Sequence, residues 1–369
     1  MKVDYVDLSS SWLEIEDVAL PSLLETLRSG HYVLGSKGNE FEKKIAEYFE
    51  VEHCVAVNSG TDALVLAMYG LGIERGDQVI VPANSFIASA AAVAHLGAIP
   101  VLVDCNSDQS ICLDSIKRAV TEKTRAVMPV HLSGRMCEME AIKEFAEERN
   151  LLVIEDAAQA FGTHRNGLKA GTVGDVGCYS CHPLKNLNGC GDAGFFITNN
   201  DEVADKARSY RNHGLVDRNF CAVFGGVSRL DELQAAILLS RLNNVDSVIQ
   251  RRRINAERYK QGLRGVASIY FPEEEPGHFS TFHTFVIQVD HRDELVQHLK
   301  QNDISVSIHY PTPISEQKAM IRFQAYQTDH CSEVIKQANK ILSLPINEHL
   351  TADQIEYVIF KIKDFYGSG

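Results

Sequence analysis

The sequence lacks the features of nucleic-acid-binding and disordered proteins. It contains no low-complexity tract and no short-period repeat, so we expect a folded body without long disordered tails. Its 36 Lys and Arg residues are outnumbered by 49 Asp and Glu residues, for a formal net charge of -13. That balance disfavours nucleic acid or an anionic membrane as a general partner, although a local basic pocket could still hold a phosphate.

A secretion signal and a convincing membrane span are also missing. The segment that starts at Met1 has no apolar run followed by a cleavage signal, so we expect a cytoplasmic protein. The longest nearly apolar stretch, Ser85 to Val103, approaches membrane-spanning length, but His95, Gly97 and Pro100 interrupt it. This pattern predicts a buried helix followed by a short strand, and no membrane contact.

Cysteines are present, but their pattern does not indicate a disulfide scaffold or a metal site. Nine cysteines, an odd number, are spread along the chain, which favours reduced thiols. Cys178 and Cys181 have the C-x-x-C spacing of redox and zinc sites. However, Val176 to His182 has the pattern of a strand, where residues three apart point to opposite faces. No second pair completes four zinc ligands, so we predict core packing and no metal.

The region from Glu52 to Thr198 alternates short apolar segments with helical ones. This order is typical of an α/β domain, in which helices cover both faces of a mostly parallel sheet. The seven strands that we predict are residues 54–57, 78–82, 101–104, 126–130, 151–156, 177–180 and 194–198.

After Arg229 the pattern changes to the long amphipathic runs RLDELQAAILLSRL and SVIQRRRINAERYKQGL. The rest of the chain alternates again, with strands predicted at residues 282–289 and 304–310 and two closing helices. At 369 residues the chain is longer than one typical domain. We therefore predict a large α/β domain at residues 1–245 and a small C-terminal α+β domain at residues 246–369.

Ligands of a parallel sheet gather at the carboxyl ends of its strands, and three such places carry polar residues. The first is NSGTDAL at residues 58–64, between a strand and a helix. Free N–H groups at the start of that helix, together with the Thr61 hydroxyl, could cradle a phosphate. An ordinary helix cap explains the same residues equally well.

The second place is VIEDAAQ at residues 153–159, where Glu155 and Asp156 are adjacent carboxylates at the end of a strand. Such acids can bind a metal, act as a general acid or base, or pair with a cationic heterocycle. A single acid at a strand end is often only a cap.

The third place is YSCHPLKNL at residues 179–187, followed by a glycine-rich segment up to Gly194. Lys185 lies among apolar residues and glycines, so it is a candidate for a desolvated amine with a lowered pKa that could attack a carbonyl. A surface lysine on a loop is the common alternative. The nearby hydroxyl of Ser180 and imidazole of His182 favour the reactive interpretation.

Together the three places supply a phosphate cup, a carboxylate and a lysine, which are the parts that pyridoxal 5'-phosphate (PLP) requires. In this order and at these spacings the chain resembles the DegT/StrS-type aminotransferases of fold type I, which act mainly on nucleotide-linked keto sugars. The resemblance runs almost from end to end. The matching segments are YVLGSKGNEFEKKIAEYF (32–49), SGTDAL, GDQVIVPANSF, GAIPVLVD, PVHLSG, IEDAAQAFG, HPLKNL, GDAG, RNHG, RLDELQAA, HYPTP and LSLPI.

The resemblance implies a role for individual residues. Lys185 is similar to the lysine that carries PLP as a Schiff base and moves the proton between C4' and the substrate carbon. Asp156 would pair with the pyridinium nitrogen, Gln159 would bond the 3-hydroxyl, and Phe86 would stack on the ring. The residues that would hold the phosphate are Gly60, Thr61, Asp62 and Ser180. The substrate-side candidates are His182, His309 and Tyr310, and a structural role for the two histidines is an open alternative.

The sequence also departs from the family pattern. The family commonly has Gly-x-Asn-x-Arg before LDELQAA, and its Asn reaches the cofactor phosphate of the neighbouring subunit. Here Val227 occupies the Asn position, so that contact is in doubt unless Ser228 replaces it. Ser315 stands where the family often has a histidine after HYPTP. A few members have histidine in place of the lysine and catalyse deoxygenation, and Lys185 argues against that branch.

The resemblance therefore implies a cytoplasmic, homodimeric aminotransferase of amino-sugar biosynthesis for polysaccharide or lipopolysaccharide. It would move an amino group from L-glutamate (or glutamine), releasing 2-oxoglutarate from glutamate, to a keto group of a nucleotide-linked deoxy sugar. The RLDELQAA context favours C3 over C4. A keto sugar or cyclitol without a nucleotide is the alternative substrate, and a PLP-binding regulatory protein without turnover is the alternative of another class.

Overall fold

The computed structural model describes residues 1–323, 326–328 and 331–367. The helices are α1 (Leu8–Leu13), α2 (Glu16–Ser29), α3 (Ser36–Phe49), α4 (Gly60–Gly70), α5 (Ile87–His95), α6 (Leu113–Ala119), α7 (Met139–Glu148), α8 (Asp201–Tyr210), α9 (Glu232–Leu242), α10 (Val245–Leu263), α11 (Arg292–Gln301), α12 (Lys318–Arg322), α13 (Ser332–Ala338) and α14 (Ala352–Phe365). The strands are β1 (His53–Val57), β2 (Gln78–Pro82), β3 (Ile99–Val103), β4 (Thr124–Val127), β5 (Leu152–Asp156), β6 (His164–Arg165), β7 (Leu168–Lys169), β8 (Val176–Ser180), β9 (Gly194–Thr198), β10 (Ile269–Tyr270), β11 (His278–Phe279), β12 (Phe285–Val289), β13 (Gln327–Thr328) and β14 (Ile341–Leu344).

The central sheet has the strand order β1-β9-β8-β5-β4-β2-β3-β13. Strand β9 is antiparallel to both of its neighbours, whereas β8, β5, β4, β2, β3 and β13 pair in parallel. The seven strands predicted from the sequence are all present, and the α/β class with a mostly parallel sheet is confirmed. The two-residue strand β13 adds an eighth member at the edge beside β3, which the sequence pattern did not reveal.

Each face of the sheet packs into its own hydrophobic cluster. Side chains alternate along β8, so Cys178 lies in one cluster and Tyr179 in the other. Cys181 also lies in the second of these clusters, on the opposite side from Cys178, and both thiols are buried. Neither Cys178 nor Cys181 forms a disulfide, so the prediction of core packing for the C-x-x-C pair is confirmed.

The stretch from Ser85 to Val103 forms α5 and β3, and both carry buried residues. The predicted unit of a buried helix followed by a strand is therefore confirmed. Across the described residues, the structure contains no helix with the length and apolar character needed to cross a membrane.

The C-terminal part of the chain has its own sheet and its own core. Strand β12 pairs with β10 on one side and β14 on the other, and α10, α11 and α14 supply residues to the same apolar cluster. Val3 belongs to this cluster and forms a bridge with Ile304, so the start of the chain packs against C-terminal residues. The division at residue 245 stays a prediction.

The strand predicted at residues 304–310 is wrong. Ile304 bridges to Val3 and Ser307 bridges to Ser343, but these are isolated contacts. The segment lies between two partners, and each pairs with only one of its residues, so no ladder forms. Strand β14, which contains the first three residues of the LSLPI motif, takes the place beside β12 instead.

A buried carboxylate ties the N-terminal part of the chain to α9. Glu232 is buried and accepts hydrogen bonds from the N–H groups of Gly35 (2.9 Å), Lys37 (2.8 Å) and Gly38 (3.0 Å). These groups belong to the first turn of α3, where backbone N–H groups have no partner within the helix. The charge of Glu232 also complements the positive end of the helix dipole.

We predict that Glu232→Ala lowers the thermal midpoint of unfolding by about 5 °C or more, because three partly buried N–H groups lose an anionic acceptor. Differential scanning calorimetry would measure the midpoint. Glu47→Ala is the matched control, since Glu47 lies on α3 and forms only an exposed ion pair with Lys43. Equal midpoints for the two variants would contradict this account.

Candidate active site

The candidate site lies where the parallel strands of the central sheet end. Strands β1, β2, β5 and β8 lead at their carboxyl ends into residues 58–60, 83–86, 157–159 and 181–185. Strand β9 is antiparallel, so its first residue, Gly194, lies at the same edge. The three places that the sequence analysis selected therefore meet at one edge of the sheet.

Asp156 ends β5 with a buried carboxylate. Its Oδ2 accepts a hydrogen bond from Ser89 Oγ at 2.7 Å, and its Oδ1 accepts one from the Ala158 N–H at 3.2 Å. Since Ser89 gives its one hydroxyl proton to Asp156, Ser85 donates to Ser89 across the 2.7 Å contact between their hydroxyls. Burial raises the pKa of Asp156, while these hydrogen bonds and the charge of Lys185 lower it.

Glu155 points to the opposite face of β5 and has a structural role. Its side chain is fully buried and accepts hydrogen bonds from the N–H groups of Gly171, Val173 and Gly174 at 2.6 to 2.7 Å. His131 Nδ1 accepts the Cys137 N–H, so its other nitrogen carries the proton and donates to Glu155 Oε2 at 2.8 Å. The two adjacent carboxylates thus have separate surroundings.

Lys185 follows β8 in the segment that begins at Cys181. Burial lowers the pKa of Lys185 from 10.5 to about 8, while the negative charge of Asp156 raises it. Among the described residues, none forms a hydrogen bond or an ion pair with its Nζ. Near neutral pH a useful fraction of this amine is therefore uncharged and able to attack a carbonyl.

The backbone at the start of α4 forms a compact cup. Ser59 Oγ accepts the Asp62 N–H at 3.1 Å, which leaves the N–H groups of Gly60 and Thr61 directed out of the helix end. A Cβ atom on Gly60 would lie 2.6 Å from Ser180 Cβ, and one on Gly194 would lie 2.4 Å from the Ser59 backbone. Glycine at both positions allows the close approach, and the helix end suits an anion.

Gln159, Tyr310 and Phe86 form a second group at the site. Gln159 Oε1 accepts the Ser133 N–H at 2.7 Å, and its Nε2 donates to Tyr310 Oη at 3.2 Å. The rings of Tyr310 and Phe86 lie 5.5 Å apart. Phe86 is 53% exposed, so its ring has a free face for a planar ligand. Ser133 and Ser89 were missed by the sequence analysis, although the spacing of Ser85 and Ser89 on one helical face was a usable signal.

Three histidines lie near Lys185. His309 Nδ1 contacts Ser343 Oγ at 2.8 Å, and burial together with the charge of Lys185 lowers the pKa of His309 to about 4. His283, which the sequence analysis missed, also has a pKa well below the ordinary value because of burial and the charge of Lys185. Both rings are neutral at neutral pH. His182 is exposed, and its Nδ1 accepts the Leu184 N–H at 3.3 Å.

A cleft of about 520 Å³, part of it open to solvent, contains Lys185, His283 and His309. Its wall includes an ion pair in which Arg252 Nη2 lies 2.8 Å from Glu348 Oε2. Arg252 also donates to the His283 backbone carbonyl at 3.2 Å.

A comparison with known protein families identifies the family of this chain. A model of the DegT/DnrJ/EryC1/StrS aminotransferase family matches residues 14–363. The chain belongs to this family. The recognition made from the motifs is therefore confirmed, and Lys185, Asp156 and Gln159 lie at one edge of the sheet in an aminotransferase-family fold.

Relatives in this family match the whole chain. A protein of Geobacillus stearothermophilus described as a pleiotropic regulatory protein is 38% identical over 369 residues, which covers 99% of each chain. The dTDP-3-amino-3,4,6-trideoxy-alpha-D-glucose transaminase of Streptomyces venezuelae is also 38% identical, over 99% of this chain and 96% of the relative.

Solved structures agree with the fold. DesV of S. venezuelae, in complex with a ketimine intermediate, is similar to 99% of this chain and 98% of its own, with a TM-score of 0.95 and 37% identity. NtdA of Bacillus subtilis with bound cofactor PMP has a TM-score of 0.92 and 30% identity, over 99% of this chain and 85% of its own.

Val227 stands where the family commonly has Asn, and the neighbouring Ser228 makes hydrogen bonds within its own chain. Ser228 is buried, and its hydroxyl donates to Asn58 Oδ1 at 3.2 Å and accepts the Asn58 N–H at 3.3 Å. The hydroxyl is therefore committed to its own chain. The Val227 side chain is exposed beside it.

We predict that the reactivity of Lys185 levels off above pH about 8, because its amine is already mostly neutral there. The measurement is the rate at which an amine-selective acylating reagent labels Lys185 in the apoprotein, read by peptide mass spectrometry. A blocked lysine amide in the same tube is the control, and its rate should keep rising to about pH 10. Parallel profiles for both amines would refute a lowered pKa.

Proposed function

We propose that this chain is a PLP-dependent aminotransferase that moves the amino group of L-glutamate to a keto group of a nucleotide-linked deoxy sugar. The observation that carries the proposal is the pairing of Lys185, a desolvated amine, with Asp156, a buried carboxylate, at one edge of an aminotransferase-family fold. PLP requires both groups, and a solved relative contains the related cofactor PMP.

The residues at the site fit PLP. The N-terminus of α4, with Gly60, Thr61 and Asp62, would hold the phosphate beside the Ser180 hydroxyl, since the close approach at Gly60 brings the two segments together. The exposed ring of Phe86 would stack on the cofactor ring. These assignments agree with the roles implied by the family motifs.

Asp156 and Gln159 would orient the ring. A buried carboxylate with a raised pKa gains stability from a cationic neighbour, so Asp156 would keep a proton on the ring nitrogen. Gln159 Nε2 gives one N–H to Tyr310 and has a second N–H for the 3-oxygen. Ser133 holds the amide in this orientation through its N–H.

PLP supplies an electron sink next to the carbon that exchanges its amino group. Lys185 would remove a proton at that carbon and return it, because a pKa near 8 lets one side chain act as base and acid close to neutral pH. The neutral rings of His283 and His309 add no positive charge beside the amine. His309 and Tyr310 are the proposed substrate-side residues, and His182 is a further candidate at the exposed rim.

We propose a keto group at C3 in preference to C4. The S. venezuelae relative is named for a 3-amino sugar, as is an Aneurinibacillus thermoaerophilus relative that is 37% identical. A keto sugar or cyclitol without a nucleotide is the second candidate. Competition by free dTDP or UDP against the sugar substrate would separate the two. Only an enzyme that acts on nucleotide-linked sugars has a binding site for the nucleoside diphosphate.

A regulatory protein without turnover is the candidate of another class, and the description of the Geobacillus relative favours keeping it. The free amine of Lys185 argues for chemistry, because a binding protein needs no lysine with a lowered pKa. Release of 2-oxoglutarate from L-glutamate would distinguish the enzyme from the regulator.

We further propose a cytoplasmic homodimer. The nine cysteines form no disulfide among the described residues, which agrees with a reducing compartment. The segment around Val227 presents several apolar side chains to solvent in the single chain, and Phe224 is 102% exposed. Apolar surface of this kind is typical of an interface. The exposed apolar residues of the segment are Val216, Phe220, Val223, Phe224 and Val227.

We predict that the purified protein has a visible absorbance band from lysine-bound PLP, and that L-glutamate removes the band while 2-oxoglutarate appears. Lys185→Ala should bind PLP without this band and release no 2-oxoglutarate, because no amine is left at that position. Lys206→Ala, which alters an exposed lysine of α8, is the control and should behave as the wild type. A wild-type protein with no band after PLP is supplied would sink the proposal.

We predict that Phe224→Ser shifts the protein from dimer towards monomer, because it removes the most exposed aromatic ring of the proposed interface. Sedimentation velocity at several concentrations would measure the shift. Phe360→Ser is the matched control, since Phe360 is an exposed phenylalanine on α14. An unchanged dimer in Phe224→Ser would place the interface elsewhere.

A further inference from the structure

A second cleft lies next to the cleft that contains Lys185. Thr284 lines both, and its Oγ1 donates to Ser133 Oγ at 2.8 Å. The second cleft is a small indentation that opens to solvent. The Ser133 N–H also donates to Gln159, one of the residues proposed to bind the cofactor. Ser133 therefore connects the second cleft to the proposed cofactor site.

Lys260 of α10 lines the second cleft, where its positive charge lies near Glu274. The residue is only 5% exposed, and it lines the cleft. Within the described residues, no acceptor forms a hydrogen bond or an ion pair with its Nζ. The ammonium lies 5.1 Å from the centre of the Phe282 ring, a contact weaker than a charge-assisted hydrogen bond. The aliphatic stem of Lys260 is buried, and an anion in the cleft would give its ammonium the acceptor that the described residues do not supply.

The other charges around this cleft are already paired. Arg135 Nε lies 3.0 Å from Asp108 Oδ2. Both oxygens of Glu274 accept from Arg253, at 2.8 and 3.2 Å, and one of them also accepts the Ser280 N–H at 2.6 Å. Glu274 therefore has little capacity left for Lys260. Lys260 is thus the charged residue of this lining for which the described residues supply no hydrogen-bonded counter-ion.

We propose that Lys260 binds a small oxyanion, a carboxylate or a phosphate group, in this second cleft. The ammonium offers three donors, and the hydroxyls of Ser133 and Thr284 line the same space. An oxyanion would accept the hydrogen bonds that Lys260 does not make within the described residues. This site goes beyond amino-group transfer, and its occupant would lie next to the residues that position Gln159.

The test is calorimetric titration of the protein saturated with PLP, so that the proposed cofactor cup is filled. Inorganic phosphate and acetate are titrated separately, because each stands for one source of the oxyanion. We expect saturable binding of at least one of them, weakened roughly tenfold or more in Lys260→Met. Binding of phosphate alone or of acetate alone would identify the group that the site accepts.

Two further variants make the result decisive. Lys361→Met is the matched control, since Lys361 also lies over an aromatic ring, at 5.9 Å from the centre of Tyr357, but far along the chain on α14. It should bind as the wild type. Lys260→Arg keeps the charge and should retain binding, which separates loss of the anion site from loss of packing.

No saturable binding of either anion up to about 50 mM, or equal affinity in wild type and Lys260→Met, would overturn the proposal. The titration reads binding and not turnover. Its failure would leave the aminotransferase proposal untouched, and failure of the glutamate half-reaction would not alter the titration.

Discussion

The alternation of side chains at the end of β5 is the constraint on which the site depends. Residues next to each other in a strand point to opposite faces, so Glu155 and Asp156 are separated although they are adjacent in sequence. Glu155 uses its charge to hold the loop at residues 171–174 and His131. Asp156 is left on the other face with Ser89, where its carboxylate can serve a ligand.

Three backbone segments approach one another closely at the part of the site that is proposed to hold the cofactor phosphate. Gly60 starts α4 against Ser180, and Gly194 starts β9 against Ser59. Strand β9 can bring Gly194 to this edge only because it is antiparallel to β8. The helix N-terminus, the end of β8 and the segment carrying Lys185 therefore converge within one small volume, and the amine loses water there.

The sequence by itself determined the α/β class, the seven main strands, the C-x-x-C pair as core residues and the family. These follow from local patterns. Alternating apolar segments indicate which residues are buried, and a series of matched motifs indicates the family. Lys185 and Asp156 were also selected from the sequence, since each is a polar residue at or beyond a strand end, and Gln159 was selected from the family resemblance. Their catalytic and binding roles stay predictions. The strand expected at residues 304–310 failed because apolar alternation cannot reveal whether a partner strand is available.

Only the tertiary structure decided which distant groups meet. Ser89 and Ser133 reach Asp156 and Gln159 from segments about 70 and 26 positions away, and no local pattern encodes such contacts. The same holds for Lys260. Its ammonium has no hydrogen-bond acceptor among the described residues, because both oxygens of Glu274 accept hydrogen bonds from Arg253. Sequence patterns indicate which side chains face the core, whereas pairing of charges and loss of water depend on distances that the packed chain alone sets.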